Sequence, residues 1–261
     1  MQLTDWCGIQ AGCFLLDNPL QPVYVGGCVG RALGISIELY DSSLPDGSDG
    51  RALPLGEAGD LVATCAFPNV PLYLWNDNLP APGKKYRGAY FERFKDVWAH
   101  GDYCVFHPTT GGIVILGRSD GVLNPGGVRF GSSDIYNVLE KCFSDDIAES
   151  LCVGQRRPSD TDVAVVLFVV MKSGKRLDKS MVQTLKGTIA RELTKRHVPK
   201  YIFETPDIPV TVNGKKAELP VKAILSGKTI QPSSTLLNPG SLAFFYRFYK
   251  IEDIEDSTAK L

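Results

Sequence analysis

The chain has 261 residues, enough for one large domain or two smaller ones with real cores. Twenty-eight basic side chains stand against 29 acidic ones, and a net charge of −1 argues neither for nucleic acid nor for an anionic membrane surface. Hydrophobic content of 44% and charged content of 22% are those of a soluble globular protein. Seven cysteines (Cys7, Cys13, Cys28, Cys65, Cys104, Cys142, Cys152) are odd in number and free of any Cys-x-x-Cys pair, which suits reduced thiols better than disulfides or a zinc site. The three histidines, His100, His107 and His197, show no metal-ligand spacing, so no protein-bound metal is expected. The longest apolar run, residues 163–171, falls short of the roughly 20 needed to span a bilayer. Polar and acidic residues follow Met1 at once, so no secretory signal is read and a cytoplasmic location is expected.

In chain order, Ile35, Ile37 and Leu39 alternate with Ser36, Glu38 and Tyr40, the period of a half-buried strand. A turn-rich stretch at 41–59 precedes a second strand at 60–66. Residues 86–96 fit a short helix with Tyr90 and Phe94 on one face. Residues 98–106 and 113–116 fit a hairpin closed by Thr109, Thr110, Gly111 and Gly112. After Gly117 the rhythm changes. Ser132 or Ser133 can cap a helix with the stripe Ile135, Val138, Leu139 and Cys142. Residues 163–170 are a β-branched run suited to a strand covered on both faces. Asp178 precedes an amphipathic helix carrying Met181, Val182, Leu185, Ile189 and Leu193, which ends before Pro199. Val210 and Val212 lead into Asn213-Gly214, the signal of a type I′ hairpin, and a last short helix follows Pro220.

The expected fold class is α/β (α+β). A strand-rich, barrel-like subdomain at 1–119 is followed by a small mobile α/β domain at 120–229. A tail at 230–261 turns aromatic (Phe244, Phe245, Tyr246, Phe248, Tyr249) and so suits docking on the body.

Three segments carry chemistry. In Trp98-Ala99-His100-Gly101-Asp102-Tyr103, a glycine lets the backbone approach a ligand while the aspartate can accept two hydrogen bonds from vicinal hydroxyls, as in a ribose; the same pair is equally an ordinary turn. Residues 117–131 hold five glycines, one proline, Arg118 and Arg129, read as a hinge whose arginine forks suit phosphate or hydroxyl oxygens, or as a plain linker with solvated arginines. Residues 209–216 place Lys215 beside a tight turn, where it can reach another domain and offset phosphoryl charge, or simply sit in water. Cys104 and His107 lack an orienting third group for thiol catalysis.

The order of these segments is informative. Gly-Glu-x-Gly-Asp-Leu-Val at 56–62, Trp…Gly-Asp at 98–102, Gly-Arg-x-Asp at 117–120 and Asn-Gly-Lys at 213–215 resemble the adenylate-forming superfamily of acyl-CoA synthetases, peptide-synthetase adenylation domains and firefly luciferase. Within it, Trp-Ala-His-Gly-Asp-Tyr, the wording from Gly111 to Asn137, and Arg-His-Val-Pro at 196–199 resemble the acetoacetyl-CoA synthetases. The resemblance implies that 1–119 is the end of a large AMP-binding domain and 120–229 the AMP-binding enzyme C-terminal domain. It implies that Asp102, helped by Arg118, holds the ribose of AMP, and that Arg129 contacts phosphate. Asp120 is then the pivot between half-reactions, Gly127 lines the CoA tunnel, and Lys215 is the catalytic lysine. The implied substrates are acetoacetate, CoA and ATP as its Mg2+ complex, acting through an acyl-adenylate. Neither nucleic acid nor membrane is an implied partner.

The family's Ser/Thr/Gly-rich phosphate loop ending in lysine is not found in this sequence, nor is a GxxxxGK[ST]. The cluster at 26–30 lacks the lysine and hydroxyls and reads as a strand turn; Thr4-Asp5 is a weak match to the family's Gly-Gly-Thr-Asp segment. The expectation is a C-terminal part, inactive alone and open to an upstream N-terminal half. The alternatives are a non-catalytic nucleotide- or CoA-binding module, and a related ligase of acetate.

Overall fold

The computed structural model describes residues 15–16, 27–28, 30–31, 35–67, 70–77 and 83–258. They form two compact units, one ending at Ser119 and the other starting at Asp120. No helix among the described residues is long and apolar enough to cross a membrane.

The first unit is strand-rich. Strands β1 (Leu15–Leu16) and β3 (Gly30–Arg31) pair with each other. Strands β2 (Gly27–Cys28), β4 (Ile37–Tyr40), β5 (Ala58–Ala63), β6 (Trp98–Phe106) and β7 (Ile113–Arg118) form an antiparallel sheet in the order β2-β7-β6-β5-β4. Ile37 and Leu39 are buried and alternate with half-buried neighbours, as the period-2 pattern predicts. The turn-rich stretch before β5 is held by Arg93, which donates to Asp60, Asp46 and the carbonyls of Ser42 and Leu44. Helix α1 (Lys84–Tyr90) is shorter than the helix expected over 86–96. Asp96 adopts a left-handed φ of 56°, and Phe94 leaves the helix face to pack edge-on against Tyr40. Tyr90 stacks on Trp98 at 3.8 Å between centroids, while Phe67 and Phe91 meet the same indole edge-on. This aromatic cluster fixes the start of β6, two residues ahead of His100.

The second unit is a three-stranded sheet, β10-β9-β8, covered on both faces. Strand β9 (Ala164–Met171) is central, antiparallel to β8 (Ile147–Gln155) and parallel to β10 (Tyr201–Glu204). Its side chains alternate between two cores. Val165, Leu167 and Val169 face helices α2 (Ser132–Phe143) and α3 (Lys179–Glu192); Val166 and Phe168 face α4 (Glu218–Leu225) and the C-terminal segment. That double covering is why the run reads as continuously apolar. Asp178 caps α3 by accepting from the Met181 N–H at 2.8 Å. Helix α2 starts differently from the expectation: Gly131 is its cap, Cys142 is exposed, and Phe143 takes the buried place.

The C-terminal segment joins this core through Leu236, Leu242, Phe245, Phe248 and Ile251. Phe245 and Phe248 are fully buried against Phe168, successive 3-10 turns run over Pro239–Lys250, and α5 (Ile251–Thr258) follows. The buried Gln155 amide donates to the carbonyls of Leu225, Phe248 and Tyr249, tying this segment to β8 and α4.

Candidate active site

Asp102 and Arg118 face each other across the β6–β7 ladder as registered partners. A bulge between Tyr103 and Cys104 turns the strand there. The Asp102 carboxylate is fully buried, accepts from Arg118 Nη1 at 3.1 Å, and lies 3.5 Å from His100 Nε2. His100 is nearly buried itself, and that burial, reinforced by the Arg118 charge, lowers its pKa to about 4, so the imidazole is neutral at ordinary pH. Gly101 explains its own presence. Its φ is +85°, and a Cβ there would lie 2.6 Å from Arg118 Nη2. The Arg118 side chain is half exposed, whereas the carboxylate it pairs with is fully buried.

The other proposed residues lie in the second unit. Asp120 is its first residue and is exposed. From there the chain enters a closed loop. Leu123 and Phe130 exchange two backbone hydrogen bonds, both at 3.0 Å, and their buried side chains form its neck. At the tip, Gly126 and Gly127 have φ of +58° and +80°, Gly127 is exposed, and Arg129 is half-buried beside the neck. The Gly126 N–H donates to Asp162 at 2.7 Å while Arg196 reaches the Gly126 carbonyl at 3.4 Å. His197 packs on the Phe130 ring at 4.1 Å. The Arg-His-Val-Pro segment thus braces the glycine loop, two motifs separate in sequence and joined in space.

Lys215 is exposed at the end of a braced arm. The turn is not type I′. Asn213 is absent from the left-handed residues, Gly214 has φ of +71°, and the Gly214 N–H donates to the Thr211 carbonyl at 2.8 Å. This is a type I turn closed by a left-handed glycine, with the Thr211 N–H then donating to the Lys215 carbonyl. A second strand supports the arm, because Val212 N–H donates to Thr235 and Leu237 N–H to Val210. Asn238 locks the base, accepting from Val210 N–H and donating to Ile208 and Asp207. Lys216 turns back toward its own unit, with its ammonium 3.8 Å from the centre of the Tyr136 ring, and partial desolvation there lowers its pKa.

Sequence reading missed one constellation. Glu218 accepts from Tyr136 at 2.6 Å and Ser132 at 2.9 Å, and Tyr136 in turn accepts from the Cys152 N–H. Burial raises the Glu218 pKa against these hydrogen bonds, and pushes Tyr136 well up. The available signal was a glutamate opening a short helix whose other residues are apolar except Lys222. Thr4 and Asp5 lie outside the described residues.

The family model for the AMP-binding enzyme C-terminal domain matches residues 143–215 and ends on Lys215. Over 241 residues the chain is 44% identical to acetoacetyl-CoA synthetase of Rattus norvegicus, an overlap of 92% of this chain and 34% of the relative. The chain is a homologue of the acetoacetyl-CoA synthetases. The solved acetoacetyl-CoA synthetase of Streptomyces lividans superposes with a TM-score of 0.76 at 34% identity, over 92% of this chain and 34% of that one. A malonamoyl-CoA synthetase of Penicillium aethiopicum is 41% identical, over 89% of this chain and 30% of its own length. This homologue therefore spans about a third of the length of the synthetases it matches.

Proposed function

We propose that the chain supplies the sugar contact and the moving lysine of an AMP-forming acid–thiol ligase, joining acetoacetate to CoA through an acyl-adenylate. The observation that carries this reading is the exposed Lys215 on a braced arm at the end of the matched domain. Adenylation brings a carboxylate onto the α-phosphate of Mg2+-bound ATP. Two anions approach, so a cation delivered to them lowers the barrier, and one such group is worth ~3 kcal/mol or more. Asp102 accepts the ribose hydroxyls and Arg118 follows them. Arg129 pairs with phosphate, Asp120 serves as the pivot, and Gly127 gives the CoA arm a path without side chains. The CoA thiol then displaces AMP. On this reading the chain alone, whose sequence holds no loop to wrap the β- and γ-phosphates, forms no acyl-adenylate at a useful rate.

The test is acetoacetate-dependent ATP–pyrophosphate exchange. It compares the purified chain with an assembly in which the chain is joined to the part of the Rattus norvegicus relative that it does not match. Exchange by the assembly and none by the chain is expected. Exchange by the chain alone overturns the incomplete-site reading, and failure of the assembly to bind AMP removes the ligase reading. The likeness to a malonamoyl-CoA synthetase favours a wider acid class, because malonamate and acetoacetate share a carbonyl β to the carboxylate. Acetate outperforming both in the same assay would replace that class with simple short-chain acids.

A further inference from the structure

One face of α4 touches both ends of the glycine loop. Lys222 donates to the backbone carbonyl of Asp120, where the loop begins. Glu218, four residues earlier and so on the same face, accepts from Ser132, where the loop has just passed into α2. The same carboxylate takes the Tyr136 hydroxyl, whose ring lies under the Lys216 ammonium. Helix α4 itself begins three residues after Lys215.

We propose that Glu218 and Lys222 are positioning residues that lock the loop from Asp120 to Gly131 and the Lys215 arm into one rigid body. This rests on the ligase reading only for its consequence, that Gly127, Arg129 and Lys215 reach a nucleotide together. The chemistry favours a positioning role. Both groups are drawn out of water, which raises the pKa of Glu218 and lowers that of Lys222. Burying opposite charges is costly unless each finds directional partners, and here the partners are a hinge carbonyl and two hydroxyls. With its carbonyl tied to Lys222, Asp120 leaves rotation to the bonds on its N-terminal side. The swing is then confined to the boundary between the units and not spread through the loop.

Amide hydrogen exchange on the full chain, without ligand, tests the clamp. Removing the Lys222 donor by Lys222→Met should speed exchange about tenfold in residues 120–131 and also in the arm at 209–216, which Lys222 does not touch, because a lost buried hydrogen bond lowers the cost of local opening. Glu218→Ala should loosen the same two segments, and Lys222→Arg should restore both. Faster exchange confined to the loop, with the arm at the wild-type rate in both variants, would overturn the proposal. So would a failure of Lys222→Arg to restore them. In the pyrophosphate-exchange assembly, Lys222→Met should lower kcat about tenfold and leave the KM for ATP within about twofold. A wild-type assembly without exchange activity would defeat the ligase reading, while the amide data would still decide the clamp.

Discussion

Asp102 and Lys215 are the two charges on which the proposed chemistry turns, and their surroundings are opposite. Asp102 is fully buried in a five-stranded sheet, with Arg118 across the ladder and His100 two residues before it. Lys215 is exposed at the tip of an arm stiffened at its base by Asn238 and by residues 235–237. A group that holds the unreactive sugar gains from being fixed before the ligand arrives. A group that must meet charge appearing in the transition state gains from being free to enter, provided the arm behind it is rigid. The contrast teaches that preorganisation here resides in the acceptor's surroundings and in the donor's support, not in the donor itself.

The sharpest way to break that comparison is Lys215→Ala. Acetoacetate-dependent exchange by the assembly should fall by about 10²–10³-fold, the usual cost of one preorganised electrostatic group, while thermal unfolding stays put because the side chain is exposed. Loss of both together would make Lys215 a structural residue.

The buried side of the comparison should be sensitive to acid. The folded pKa of His100, about 4, lies below its ordinary 6.5, so the unfolded chain takes up the proton first. The stability from keeping His100 neutral is present above 6.5 and is lost as pH falls toward 4, amounting to roughly 3 kcal/mol. Denaturant unfolding followed by Trp98 fluorescence should show this slope in the wild type and a flatter one in His100→Gln. Parallel curves would mean that His100 is accessible to protons in the folded state.

Two glycines sharpen the contrast further. Gly101 and Gly214 both have positive φ, but a Cβ on Gly101 would strike Arg118 whereas one on Gly214 meets nothing within 4 Å. Both changes should cost about 1–2 kcal/mol from backbone strain, with Gly101→Ala slightly the larger because the Arg118 guanidinium bonded to Asp102 must move. Equal costs in urea unfolding would mean that the Arg118 guanidinium moves aside without cost.

Much of the architecture was legible because its signals are local. The alternation at 35–40, the apolar run that became β9, and Asp178 ahead of α3 each express burial and capping within a few residues. The errors arose where distant partners decide. Asn213-Gly214 fits two turn types equally, and pairing with residues 235–237 lies beyond a local reading. Phe94 left the expected helix for Tyr40, which is 54 positions earlier in the chain. In the candidate site, motif order singled out Asp102, Arg118 and Lys215 but not Glu218. Its partners, Ser132 and Tyr136, stand 86 and 82 residues away, so the glutamate at the start of α4 is visible locally but the network it joins is not.

The central claim is that a buried carboxylate grips the sugar of a nucleotide, and equilibrium binding tests it most directly. AMP and 2′,3′-dideoxy-AMP should be titrated into the assembly carrying either the native chain or its Asp102→Asn variant. Native protein should bind the dideoxy nucleotide about tenfold or more weakly, the worth of hydrogen bonds to a buried charge, and the variant should bind both alike. Equal affinity of the native protein for the two nucleotides would contradict it.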